Sequence, residues 1–244
     1  MAFSVSTKDT TALSDVELAE MADLCAEREP QFDIGFLSKQ RDEWVLVTQA
    51  RENDKLRGYA FCTLERIGGT PSLLVGVMLV DRNAKSDQTL KVILHDQFRR
   101  ALLAFPDEDV LLGTRLLSAD GYRAFNGLEE IVPRLGYRPT GEDRAWGRRL
   151  AKRFGSEKAI DDKTFIMSVG SSPVGGLDYV ASKGVIPEER RPSLSQWTPP
   201  LVSDWWSLAG PWPKPSPPAS CLNNSAARQQ SGATLVGVAV NRRA

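Results

Sequence analysis

Two apolar stretches separated by a periodic one organise the middle of the chain. Ser72–Val80 (SLLVGVMLV) is almost wholly apolar, the pattern of a strand buried on both faces. After it, Leu90, Ile93, Leu94, Phe98, Ala101, Leu102 and Phe105 recur at three- and four-residue steps, which predicts an amphipathic helix over 88–105. Its other side carries Lys91, His95 and Arg99, four residues apart, and Pro106 with the acidic run behind it ends it. Val110–Ser118 (VLLGTRLLS) is a second apolar strand. Strand, helix and strand with short connections predict a parallel pair joined by a right-handed crossover.

Upstream, residues 1–12 read as a flexible lead-in. Ser14–Glu17 (SDVE) is a capping box that opens a helix running to about Arg28, with Val16, Leu18, Met21 and Leu24 as its apolar face and Pro30 helping to end it. Glu43–Ala50 and Gly58–Ile67 are rich in β-branched and aromatic residues. With Ser72–Val80 they predict a three-strand antiparallel meander whose last strand is central. Downstream, the pattern predicts a helix from Ala119 to about Val132, broken by Pro133, and another over Arg144–Phe154, capped by Asp143. A last strand follows over Lys163–Gly170. The α/β domain thus spans 13–170. Residues 171–244 read as a linker and a proline- and tryptophan-rich low-complexity tail, with Ala233–Val240 able to add one edge strand.

Composition narrows the functional classes. The chain has 244 residues, 41% hydrophobic and 25% charged, enough for a sizeable core. Lys+Arg and Asp+Glu are both 31, so there is no positive surplus of the kind that draws nucleic acid or a membrane surface. Cys25, Cys62 and Cys221 form no CxxC pair, and there is one histidine, so neither a disulfide framework nor a zinc site is expected. No apolar run has the length of a membrane span, and the N-terminus lacks the apolar centre of a signal peptide. A cytoplasmic protein is the expectation.

The chemistry concentrates at the turn Arg82-Asn83-Ala84-Lys85-Ser86-Asp87, between the buried strand and the long helix. A helix N-terminus offers unpaired N–H groups and the positive end of a dipole, so it attracts phosphate. This turn has no glycine to let the backbone approach a ligand, but Arg82 and Lys85 can reach one by side chain. A plain crossover with Ser86 or Asp87 as cap is the other reading. His95 lies mid-helix among cations and reads as a solvated face. Cys62 reads as a buried thiol.

The order of elements (helix, three-strand meander, long helix, strand, helix, final strand) resembles that of the GCN5-related N-acetyltransferases over about Leu13–Gly170. In their central motif, Q/R-x-x-G-x-G/A, Arg82 matches the first position, while Lys85 and Asp87 stand for the two glycines. In the second motif, N-x-x-A-x-x-x-Y, Ser118, Gly121 and Phe125 stand for the named residues, and Gly136-Tyr137 resembles the closing pair. The resemblance implies a mixed sheet flanked by helices and acetyl-CoA as cofactor, with acyl transfer to a small-molecule or protein amine. It places the CoA diphosphate near Arg82, Lys85 and Ser86. It lays the pantetheine arm in a notch between the two apolar strands, hydrogen-bonded to Leu79 or Val80. It offers Tyr122 as the acid for the leaving thiolate, with Glu65 a possible base. A member that keeps the fold and has lost the cofactor is the alternative.

Overall fold

The computed structural model describes residues 3–28, 32–125, 128–133, 137–168, 175–182 and 233–241. They form a mixed α/β structure: one large sheet with helices on both faces. The sheet comprises β1 (Phe3–Asp9), β2 (Leu46–Glu52), β3 (Lys55–Ile67), β4 (Thr70–Val80), β5 (Val110–Leu116), β6 (Glu129–Val132), β7 (Ile166–Ser168), β8 (Leu177–Asp178) and β9 (Ala233–Asn241). The order is β1-β2-β3-β4-β8-β5-β9-β6, with β7 also paired to β9. The helices are α1 (Asp15–Asp23), α2 (Ile34–Glu43), α3 (Ser86–Ala104) and α4 (Gly141–Arg153).

The expected centre is present. β2, β3 and β4 form the antiparallel meander, and β4 and β5 pair in parallel from Ser72↔Leu111 to Val75↔Thr114. α3 lays Leu90, Ile93, Leu94 and Ala101 on one face of the sheet, against Leu73, Val75, Met78 and Val80 of β4. His95 is exposed, as its place in the cationic stripe implies. The opposite face takes Leu74, Val77 and Leu79 with α1, α2 and α4. The Ser14 capping box forms as read, with the Glu17 amide donating to Ser14 Oγ and the Ser14 amide to Glu17 Oε2.

Several expectations are corrected. Residues 3–9 are a strand, β1, antiparallel to β2, where a loose lead-in was expected. α1 ends at Asp23, and Val16 is 79% exposed while Leu18 and Met21 are buried. α2 lies where no element is predicted, and Asp33 caps it by accepting from the Phe36 amide. The helix expected over 119–132 is a 3-10 stretch, Ala119–Phe125, followed by β6. α4 is capped by Thr140, and Asp143 is the third-position partner of that capping box. β9 is interior: it pairs with β5 on one side and with β6 and β7 on the other. The expected Pro/Trp-rich irregular tail falls largely on 183–232, outside the described residues.

Gly76 shapes the middle of the sheet. Phe61 pairs with Val77 and Cys62 with Val75, so Gly76 is the extra residue of a bulge. The side-chain alternation breaks there. Leu73 and Val75 face α3; after Gly76, Val77 faces the other way and Met78 faces α3 again. A Cβ on Gly76 would sit 1.8 Å from the Trp44 ring, so only glycine fits. A bulge bends its strand and increases the twist. Direct pairing of β4 with β5 stops one residue before it, at Val75↔Thr114, and Thr114 Oγ1 donates to the Val75 carbonyl at 2.9 Å. Beyond this point the two strands diverge.

Candidate functional site

The carboxyl ends of β4 and β5 splay apart, and the notch between them is the place the sequence points to. It is filled. The segment Gly175–Ser182 runs into it, and its strand β8 pairs in parallel with both neighbours: Met78↔Leu177 and Leu79↔Asp178 on one side, Leu116↔Leu177 on the other. The Met78 amide donates to the Gly176 carbonyl at 3.0 Å and the Leu117 amide to the Leu177 carbonyl at 3.1 Å. Two glycines let the segment in. A Cβ at Gly175 would lie 2.7 Å from Val77, and one at Gly176 would lie 2.9 Å from the Arg115 carbonyl. Leu177 and Tyr179 are buried in the core beneath α3.

The outer part of the segment occupies the turn and the start of α3. Asp178, 4% exposed, receives Arg28 Nη1 on Oδ2 at 3.0 Å and Arg82 Nη2 on Oδ1 at 3.2 Å. Arg28 Nη2 also donates to the Val80 carbonyl at 3.0 Å. Ser86 Oγ donates to the Val180 carbonyl at 2.9 Å, and Ser118 Oγ to the Tyr179 carbonyl at 2.7 Å. The Ser182 amide and the Tyr179 hydroxyl both donate to Asp87 Oδ1, and the Ala181 amide donates to Asp120 Oδ2. Burial by itself would raise the Asp87 carboxyl; Tyr179, Ser182 and Arg123 outweigh it and hold the group below its usual range. Burial, reinforced by Asp87, pushes the Tyr179 hydroxyl well up.

The turn is also closed on itself. The Lys85 amide donates to Asn83 Oδ1 at 2.7 Å and the Ser86 amide to the Asn83 carbonyl at 3.1 Å. α3 therefore has no side-chain cap from Ser86 or Asp87; both are committed to the inserted segment. Lys85 pairs with Glu52, which also receives Arg57 Nη2 at 3.2 Å, and Arg57 Nη1 reaches Asp81 at 3.0 Å. Lys85, then Arg57, hold the Glu52 carboxyl below its usual range against burial.

The structure thus brings Leu79, Arg82 and Ser86 together against the chain's own segment, with the Val80 carbonyl taken by Arg28 and Lys85 turned to Glu52. Tyr122 lies on the 3-10 stretch after β5, 3% exposed, edge-on to Phe125 at 5.7 Å. Glu65 is not brought to the splay. It pairs in register with Ser72 and accepts from Arg153 at 2.7 Å. At about 3.3 Å per residue, Ser72 lies roughly 20 Å down β4 from Leu79. Sequence reasoning misses three residues here. Arg28 follows α1 with no motif around it. Asp178 sits in a stretch that reads as linker, although Gly175-Gly176 before an apolar–acidic pair signals close backbone approach. Arg115 on β5 is 6% exposed and lies over the Phe154 ring at 4.9 Å, and burial lowers its guanidinium to about 10. Among the described residues, no cluster of His, Cys, Asp and Glu is placed to hold a metal, and no helix is long and apolar enough to cross a membrane.

No family model matches the chain, and no curated protein matches it. Among solved structures it is similar to N-acetyltransferases at low identity. The aminoglycoside 6'-N-acetyltransferase from Enterococcus faecium is 16% identical over 51% of this chain and 73% of that one, with a TM-score of 0.37. The ribosomal-protein-S18-alanine N-acetyltransferase from Escherichia coli is 14% identical over 57% of this chain and 86% of that one, at 0.36. An aminoglycoside 6'-acetyltransferase of type Ii is 13% identical over 54% and 88%, at 0.39.

Proposed function

We propose that this chain is an acyl-CoA-dependent N-acyltransferase, acting on a small-molecule or protein amine, with a cofactor slot that its own segment closes in the conformation described. The observation that carries the reading is what the splay holds. It takes an extended, amide-bonded strand that ends in an anion gripped by two arginines at the start of a helix. A pantetheine arm is likewise extended and amide-bearing and ends in a diphosphate, so the residues present fit that group. When bound, acyl-CoA supplies an activated acyl group and a thiolate leaving group. The Met78 amide with the Leu79–Val80 edge would bind the arm, and Arg82, Arg28 and Ser86 Oγ the phosphates, with Lys85 joining them once released from Glu52. The Tyr122 hydroxyl would hand its proton to the departing sulfur.

A second reading is a binding module that keeps the frame and never takes the cofactor. Charge favours it: Arg28, Arg57, Arg82, Lys85 and Arg123 are each paired to a carboxylate of the same site, Glu52, Asp81, Asp87 or Asp178, so none is uncommitted for a diphosphate.

Thermal unfolding with acetyl-CoA separates the two. A ligand that binds only the folded state adds about 2.7 kcal/mol at a hundred times its dissociation constant, or roughly 5–10 °C for a chain of this size. The expected result is an upward shift at millimolar acetyl-CoA that disappears when Arg82 and Lys85 are both alanine, together with release of free thiol when an amine is present. Tyr122→Phe should keep the shift and lower the rate of thiol release by about a hundredfold or more. Absence of any shift, in the parent and in the slot-opening variants described next, would leave the binding module as the function.

A further inference from the structure

We infer that Gly175–Ser182 is an intrasteric gate: a built-in stand-in for the cofactor that must leave the β4–β5 splay before acyl-CoA can enter. The inference rests on the acyltransferase reading and adds the regulation of the same site. The segment's grips fall on groups the cofactor needs. β8 pairs with Met78 and Leu79, the edge that would bind the arm. Asp178 holds Arg82 and Arg28, and the Val180 carbonyl takes Ser86 Oγ. Segment and cofactor therefore exclude each other; they do not sit side by side. The match extends to polarity, because the uncharged Gly175–Leu177 end lies deep by Val77 and Arg115 while the carboxylate lies at the α3 end.

For such a device the apparent affinity for the cofactor is the intrinsic one multiplied by the open fraction, so weakening the segment tightens ligand binding. Two variants weaken it by unrelated routes. Gly176→Ala puts a methyl 2.9 Å from the Arg115 carbonyl and leaves both arginines untouched. Asp178→Asn keeps the shape and removes the charge that competes with phosphate.

The test titrates coenzyme A into the full chain by calorimetry and follows hydrogen exchange at the Ala181 and Ser182 amides, which donate to Asp120 and Asp87 while the gate is docked. Expected are at least tenfold tighter binding by each variant than by the parent. In the parent, those two amides should exchange faster when coenzyme A is added. Equal binding by parent and variants, with the two amides unchanged or better protected on adding ligand, overturns the gate and leaves the acyltransferase reading standing. If folded parent and folded variants all fail to bind, the acyltransferase reading falls and the gate falls with it. Should a variant not fold, the exchange measurement on the parent decides alone.

Discussion

At the scale of single residues, Glu17 shows how several weak contacts converge on one carboxylate. It closes the α1 capping box, receives Lys8 Nζ at 2.6 Å on Oε1 and accepts from Gln49 at 3.1 Å. Burial by itself would raise the group, but Lys8, Ser14 and Gln49 outweigh it and hold it at about 2. A carboxyl depressed in the folded state adds stability that is present above its unfolded value, near 4.3, and is lost as pH falls toward the folded one. Glu17→Gln keeps a residue that can close the capping box and removes only the charge. Because the pair is partly solvated, the expected cost at pH 7 is about 1 kcal/mol in denaturant unfolding. The difference between the two proteins should shrink between about pH 4.5 and pH 2; a gap that persists at pH 2 would assign the effect to shape and not to charge. Ser14–Glu17 was readable because capping is local. Arg28 and Asp178 were not, because the pair they form joins positions 150 apart along the chain, at 3.0 Å in space.

At the scale of elements, the bulge at Gly76 creates the site. It ends direct β4–β5 pairing and turns the strand ends apart, and Trp44 at the end of α2 lies over the residue with no room for a side chain. Gly76→Ala must move that ring or the strand. Overpacking of this kind costs about 1–3 kcal/mol, and the expected result is a loss in that range by thermal or urea unfolding. An unchanged stability would show that Trp44 repacks freely. The inserted segment is balanced differently. Ordering a residue costs roughly 1–2 kcal/mol, each net hydrogen bond returns about 1 kcal/mol, and burying Leu177 or Tyr179 about 2 kcal/mol each. Gains and costs are of one size, so the docked state leads by a small margin, of the order that a ligand at a hundred times its dissociation constant, at about 2.7 kcal/mol, can overcome. The apolar run of β4 and the periodicity of α3 were plain in the sequence because burial on a sheet and on a helix face each impose a repeat. The helix expected over 119–132 failed for the same reason in reverse. Its apolar residues suit a short 3-10 stretch and the strand β6 equally well, and tertiary pairing with β9 decided.

At the scale of the whole molecule, the sheet is assembled from distant parts of the chain. Apart from α2, the frame from α1 to β5 follows the order read from the sequence, whereas the strands that complete it, β8 and β9, come from a region whose composition suggested a tail. Composition reports average hydrophobicity over a window, and a two-residue strand held by Gly-Gly contacts is too short to register. β9 covers β5 along Val110–Leu116 and links it to β6 and β7. A chain truncated after Ser182 would bare that apolar edge, and open edges template association. Such a truncation is expected to elute as oligomers in size-exclusion chromatography at concentrations where the full chain does not. A monodisperse truncated form would show that β9 is dispensable.

The seat of β9 beside β5 also sets a timetable. Val110 pairs with Asn241, so the middle of the sheet cannot close during translation until β9, far downstream of β5, has left the ribosome. Until then the nascent protein carries a half-finished hydrophobic surface, and closing a loop of such length is intrinsically slow. Production in cells should accordingly be limited by how long that surface waits for β9, and chaperones that shield nascent β-edges should raise the yield more than lowering the synthesis rate does.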